Sequence, residues 1–184
     1  MDYAAAIGLC WLVFLASWMV FAMVFGGGGR RRQTPGAIGV RLVILGTMFV
    51  GVFYGDRIRI QPFGPYALEF ARAGVTLAYV GLAFAIWARV TLGRSWGMPM
   101  SLHDNPELVT SGPYRFVRHP IYTGLSAMLI GTALVYPLAV VPCVAMIAYS
   151  LFSSVREERD MQNRFGDAYL EYKKRSKRLV PFLL

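Results

Sequence analysis

The sequence predicts an all-α integral membrane protein of about five transmembrane helices. The last two form a helical hairpin, with a cytoplasmic loop and a C-terminal interfacial helix at its base. Three observations predict this. Of 184 residues, 56% are apolar and only 16% charged, with mean hydropathy +0.47, which leaves too little polar surface to enclose a water-soluble domain of this size. Uncharged runs approaching or exceeding spanning length recur along the chain. Between them the Lys and Arg residues alternate between crowded and sparse loops, as the positive-inside rule demands.

The first span is the 22-residue run from Ala4 to Phe25. Its apolar core exceeds that of a secretory signal, and no basic stretch precedes it, so it reads as a span that is kept. The "GGGGRRR" that follows (Gly26 to Arg32) has no preceding strand and no following Lys-Ser/Thr, so it is a linker and cytoplasmic anchor, not a phosphate-cradling loop. The 14-residue run from Leu42 to Gly55 reaches spanning length once Gly36 to Arg41 is added and Arg41 snorkels to the interface. The third span joins the 16-residue run Ala73 to Ala88 to Phe63–Arg72, where Glu69 and Arg72 stand at i, i+3 and are placed to pair. The uncharged run from Ile121 to Val155 is 35 residues, too long for one span. Tyr136-Pro137 near its middle breaks it into two helices, because proline disfavours helix both at itself and at the residue before it.

The net charge is +9, but its distribution argues against nucleic acid. Arg30, Arg31, Arg32 and Arg41 fall in the first loop, Arg57 and Arg59 in the second, and Arg89, Arg94, Arg115 and Arg118 in the third. The turn at 136–137 has none, and the tail from Arg156 holds eight. Rich and poor loops alternate, which places the N-terminus outside and the C-terminus in the cytoplasm, in the inner membrane if the host is prokaryotic. Cys10 and Cys143 lie inside apolar runs, where they act as small hydrophobes; no metal-ligand spacing is present. No fixed-period repeat supports a solenoid or an inverted-repeat transporter.

The organisation divides into three N-terminal spans over residues 1–87 and a functional half over 88–184. The second begins with "ARVTLGRSWGMPMSLHDNPELVTSGPYRFVRHP", a polar segment too long for a simple connector. It ends with a tail in which Val155, Met161, Phe165, Tyr169 and Tyr172 recur at roughly helical spacing among charges, an interfacial amphipathic helix broken at Gly166.

Arg118-His119-Pro120 immediately precedes the 35-residue run, and Glu157-Glu158 follows it. Two helices of about 17 residues rise roughly 25 Å each, so a hairpin returns these motifs to one membrane face. Pro120 suits a first helical turn, which turns the free N–H groups and positive dipole end near Ile121 and Tyr122 toward the same spot. Ionisable groups gathered against hydrocarbon point to function. A structural reading of each alone, Arg118 as an anchor and the glutamates as its partners, weakens for the set.

The segments "ELVTSGPYRFVRHPIYTG", the following "EE" and "FGDAYLEY" resemble the isoprenylcysteine carboxyl methyltransferase family and its phospholipid methyltransferase relatives, membrane enzymes that use S-adenosylmethionine. The similarity runs from about Leu92 to Pro181. It implies a cofactor pocket formed by the cytoplasmic loop and the C-terminal interfacial helix, at the backbone around Leu108, Val109 and Tyr114, at His119, and at Glu157 and Glu158. It implies catalytic roles for Arg118 and Glu157. Some relatives carry three or four acidic residues in a row, whereas here Arg156 and Arg159 flank two.

That chemistry suits the residues. S-adenosylmethionine is a sulfonium cation with an amino acid tail, so carboxylates suit its ammonium or ribose hydroxyls and a cation or backbone donor suits its carboxylate. A carboxylate acceptor needs no general base, only a forked cation such as Arg118 to hold it; an amine acceptor must lose a proton, to Glu157 or His119. A lipophilic or lipidated acceptor reached through the bilayer, with membrane lipids around the protein, fits an enzyme placed here. Three other readings compete: a phospholipid or amine N-methyltransferase, a sterol-type reductase using NADPH, and a non-catalytic membrane adaptor whose basic tail docks anionic lipid.

Overall fold

The computed structural model describes residues 2–24, 64–95 and 107–179. Among them the chain forms five α-helices: α1 (Tyr3–Val24), α2 (Ala67–Leu92), α3 (Pro120–Val135), α4 (Val140–Phe165) and α5 (Asp167–Arg175). The extended backbone among these residues pairs only in an isolated bridge between Val117 and Lys177. α1, α2 and the Pro137–Phe165 segment are each long and apolar enough to cross a membrane; α3 is apolar and shorter, 16 residues or about 24 Å of rise. The chain is an all-α integral membrane protein. Large side chains such as Leu12, Met19, Val141 and Val144 stand exposed on its flanks, where hydrocarbon takes the place of a protein neighbour. The second predicted span, Gly36–Gly55, and the "GGGGRRR" stretch lie outside the described residues.

α1 and α2 run parallel. At one end the Tyr79 hydroxyl donates to the Ala6 carbonyl at 3.1 Å and Arg72 Nε to the Tyr3 hydroxyl at 3.4 Å; at the other, the Arg89 guanidinium lies 5.2 Å from the Phe21 ring centroid. Arg72 thus reaches across to α1, and the pairing with Glu69 that their spacing suggested is not among the ion pairs of the described residues. α3 runs antiparallel to α2 along a seam of small residues. A Cβ at Gly81 would stand 2.6 Å from the Gly124 carbonyl oxygen, and one at Gly74 would stand 2.6 Å from that of Gly131. Backbones this close are a membrane solution: where no hydrophobic force drives helices together, contact area between backbones does.

Ile7, Cys10, Trp11, Val75, Ala78, Leu82, Met128, Leu129, Cys143 and Met146 form the core around this seam. Trp11 Nε1 donates to Thr132 Oγ1 at 2.9 Å, and that hydroxyl donates to the Met128 carbonyl at 2.8 Å. The buried indole N–H therefore has the partner its position demands. Cys10 and Cys143 are buried and unpaired, as small hydrophobes.

The break in the 35-residue run falls where proline requires it: α3 stops at Val135, Tyr136 is extended, and Pro137–Ala139 makes one 3-10 turn before α4. α4 then runs without interruption from apolar Val140 through charged Arg156 to Phe165. The fifth predicted span and the first part of the predicted interfacial helix are one helix, because from Val155 to Phe165 there is neither proline nor glycine to end it. It ends at Gly166, whose φ of +52° favours glycine even though no atom lies within 4 Å of a Cβ placed there. A membrane-crossing helix thus carries its own polar end out past the apolar layer, with Glu157 and Glu158 on it.

Candidate active site at the base of the hairpin

Four elements converge at the polar end of the hairpin: the last turns of α2, the loop before α3, the last turns of α4, and α5. The division at 87/88 that the sequence suggests falls inside α2, whose end joins this site. The loop is seated by Gly112, at φ +58°; a Cβ there would stand 2.9 Å from Thr91 Oγ1 on α2. Beyond it Gly112–Arg115 forms a 3-10 turn, Phe116 continues the turn with its N–H on the Pro113 carbonyl, Val117 makes the bridge to Lys177, and Pro120 starts α3 where its missing N–H costs nothing.

The C-terminal segment lies along residues 116–119. Arg118 N–H donates to the Lys177 carbonyl at 2.7 Å, His119 N–H to that of Arg178 at 3.1 Å, and Lys177 N–H to that of Phe116 at 3.1 Å. Thr123 Oγ1 donates to the Leu179 carbonyl, and the Tyr172 hydroxyl to that of Tyr114 at 2.7 Å.

The two adjacent glutamates face different surroundings, since neighbouring residues on a helix project about 100° apart. Glu157 faces α3: its Oε1 accepts from the Tyr122 hydroxyl at 2.6 Å and from Ser153 Oγ at 3.2 Å, and its Oε2 lies 3.5 Å from His119 Nδ1. Glu158 faces the tail: it accepts from Arg118 Nε at 2.9 Å and from Arg178 Nε and Nη2 at 3.0 and 3.2 Å, with Lys173 Nζ at 3.4 Å. Arg118 Nη1 donates to the carbonyls of Lys173, at 3.3 Å, and Ser176.

A cavity of about 140 Å³, open to the surface, lies between these elements. Leu108, Val109, Tyr114, Arg118, His119 and Glu157 line it; Glu158 does not. The hairpin thus brings together every residue named from the sequence, and the two glutamates separate into a cavity-facing one and one behind the wall. Sequence reasoning named Tyr122 for its backbone N–H alone and did not name the side chains of Tyr122, Ser153, Tyr169 and Tyr172 as part of the site. The tyrosines of α5 carried a signal, their helical spacing in a helix expected to border the pocket, but spacing marks a buried face without saying which of its side chains reach a ligand. Tyr122 and Ser153 carried none, because a hydroxyl in an apolar run declares no partner.

Tyr122 crosses the hairpin to a carboxylate, so its loss is measurable. Tyr122→Phe keeps the ring and removes a charge-assisted bond worth about 1.5–3 kcal/mol. The thermal unfolding midpoint in detergent is expected to fall; an unchanged midpoint would mean that the hydroxyl holds nothing.

His119 is nine-tenths buried, stacked on Tyr122 at 5.7 Å, and its Nε2 stands 3.7 Å from Glu158 Oε1 without a hydrogen-bond partner. Burial favours the neutral ring, but Glu157 and Glu158 together outweigh it and raise the pKa above its ordinary 6.5. The imidazolium therefore contributes stability that is fully present below pH 6.5 and is lost as pH rises through the raised value. In a series of unfolding midpoints from pH 6 upward, His119→Gln is expected to remove part of the alkaline decline; identical slopes would exclude this titration.

Residues 70–168 match the phospholipid methyltransferase family, a stretch that takes in α3, α4 and the whole loop. Among curated proteins the chain is similar to a probable protein-S-isoprenylcysteine O-methyltransferase of Oryza sativa subsp. indica, 31% identical over 116 residues covering 60% of each chain. It is 38% identical over 116 residues to the protein-S-isoprenylcysteine O-methyltransferase of Xenopus laevis, covering 60% of this chain and 40% of that one. To protein-S-isoprenylcysteine O-methyltransferase B of Arabidopsis thaliana it is 29% identical over 116 residues, 60% of this chain and 58% of the other. The chain thus spans 60% or less of the length of these relatives. With more than half of its residues matched, including both arms of the hairpin that frame the cavity, the chain belongs to the phospholipid methyltransferase family.

Proposed function

We propose that the protein is a membrane methyltransferase that moves a methyl group from S-adenosylmethionine to a lipophilic acceptor, a carboxylate as in isoprenylcysteine carboxyl methylation. The observation that carries this reading is the cavity at the base of the hairpin, which presents two carboxylates, Glu107 and Glu157, with a guanidinium, an imidazole and four tyrosines at the edge of the apolar layer. Family membership and the names of the relatives support it.

The donor set fits the cofactor. Bound S-adenosylmethionine supplies a methyl group on a sulfonium sulfur, ready for direct displacement. Glu157, fixed by Tyr122 and Ser153, offers its free lone pairs to an ammonium or to ribose hydroxyls. Leu108, Val109 and Tyr114 supply the wall from the loop, and His119 the floor. Arg118 has Nε and Nη1 committed to Glu158 and to backbone carbonyls, which fixes its plane and leaves Nη2 to take one oxygen of an anionic acceptor. The protein's task is then orientation and exclusion of water.

Glu157 also lies where it could take a proton from an amine, which supports N-methylation as the second reading. The two differ in acceptor: a prenylated cysteine analogue against a phosphatidylethanolamine. In the membrane we place the N-terminus outside and the site at the cytoplasmic face. The parallel course of α1 and α2 and the loop charges support this orientation. Titration of the purified protein with S-adenosylhomocysteine and with NADPH tests the reading. Binding of the first and not the second is expected, and binding of NADPH alone would overturn it in favour of a reductase.

A further inference from the structure

Glu158 is 3% exposed, yet it lies outside the cavity lining while its neighbour Glu157, 27% exposed, lies within it. Around this one carboxylate stand three permanent cations from two stretches of chain, Arg118 from the loop before α3 and Lys173 and Arg178 from the C-terminal segment, with the His119 ring 3.7 Å away as a fourth, titratable one. A buried carboxylate facing three cations is a strong joint, and removing its charge leaves like charges facing one another in a poorly solvated place. The joint also sits where backbone pairing is thin. The parallel pairing of 116–119 with 177–178 rests on three hydrogen bonds and a single bridge, far fewer than a strand needs to hold by itself.

What this joint holds is the wall of the cavity. Tyr169 and Tyr172 reach the cavity from α5, Tyr114 and Arg118 from the loop, and Tyr172 bonds the Tyr114 carbonyl directly. If the tail lifts away, α5 goes with it, the wall opens, and Arg118 loses the partners that fix its plane.

We propose that Glu158 is a positioning residue: the lock of a C-terminal clasp that holds residues 173–179 against the loop before α3 and thereby closes the cavity and aims Arg118, without itself touching the ligand. The claim that the clasp serves cofactor binding rests on the function proposed above; the clasp itself does not.

The test uses the full chain in detergent, without ligand, and reads amide hydrogen exchange at Arg118, His119 and Lys177, the three donors of the clasp. Glu158→Gln is expected to speed exchange at all three by about tenfold or more, while amides within α2 and α3 keep their protection. Arg178→Gln, a change at a more exposed partner, is expected to act in the same direction, and Arg178→Lys to recover most of the loss. S-adenosylhomocysteine affinity should then fall in both Gln variants, with the double variant no worse than the more severe single one. Unchanged exchange in the Gln variants would overturn the clasp. Altered affinity in Glu158→Gln with none in Arg178→Gln would make Glu158 a ligand contact and overturn the proposal as well. Failure of the wild-type protein to bind S-adenosylhomocysteine would count against the proposed function, while the exchange measurements would still decide the clasp.

Discussion

Gly81→Leu is expected to cost the protein most of its stability in detergent and, with it, S-adenosylhomocysteine binding. A Cβ at position 81 would meet the Gly124 carbonyl oxygen at 2.6 Å and the Met128 backbone nitrogen and Ala127 Cβ at 2.9 Å. Two of these three are backbone atoms, which cannot rotate aside as a side chain tip does, so the two helices must separate. Overpacking costs about 1–3 kcal/mol where side chains can adjust, and here the upper end is the floor. Against a typical net stability of about 5–15 kcal/mol that is a large fraction. The loss reaches the cavity because both helices end on it, α2 through Leu92 and the turn that carries Ser95, and α3 through Ile121 and Tyr122. Gly81→Ala makes the test stricter: intrinsic helix propensity favours alanine by about 1 kcal/mol, so any net destabilisation is a lower bound on the clash. Gly8→Leu on α1, where no atom lies within 4 Å of a Cβ, serves as the control and is expected to be no less stable than the parent, since the same propensity gain meets no clash. Equal midpoints for the Gly81 and Gly8 variants would show that the seam is not a close backbone contact.

That seam marks the limit of what the sequence disclosed. The apolar runs, the break at Tyr136-Pro137 and the end at Gly166 could be read off because each follows from local chemistry: an absent charge, a missing N–H, a left-handed backbone. The meeting of Arg118-His119 with Glu157-Glu158 could be read too, because a hairpin of two equal helices leaves its ends nowhere else to go. Gly74, Gly81, Gly124 and Gly131 could not be paired from the sequence: in a uniformly apolar helix a small residue shows no contrast with its neighbours, and which helix it faces is a matter of tertiary packing. The partition of the two glutamates was hidden for a related reason. Identical side chains one residue apart differ only by the turn of the helix, and that turn acquires meaning once α5 and the tail are in place on one side and Tyr122 on the other.

The largest effect on chemistry is expected at Arg118 and Glu157. Arg118→Lys keeps the positive charge, and hence any anchoring at the membrane edge, but loses the planar fork that now joins Glu158 to the carbonyls of Lys173 and Ser176. If the remaining edge of the guanidinium takes the acceptor's oxygen, one charge-assisted bond of about 1.5–3 kcal/mol disappears from the transition state, and turnover falls by about ten- to a hundred-fold or somewhat more. Arg178 and Lys173 still hold the tail to Glu158 in this variant, so S-adenosylhomocysteine affinity is expected to change only a few-fold. Glu157→Gln separates the roles in the opposite sense. The amide keeps the size and can still accept from Tyr122 and Ser153, but it no longer carries the charge that an ammonium group or ribose hydroxyls would meet. Cofactor affinity is therefore expected to drop by at least ten-fold, again the worth of one charge-assisted bond. A fall in turnover with affinity intact would instead move Glu157 to the acceptor and favour the amine reading, in which it takes up a proton. Near-normal affinity and turnover in both variants would reduce the Arg118, His119, Glu157 and Glu158 cluster to a structural joint at the membrane edge, and the catalytic role proposed for this end of the hairpin would fall.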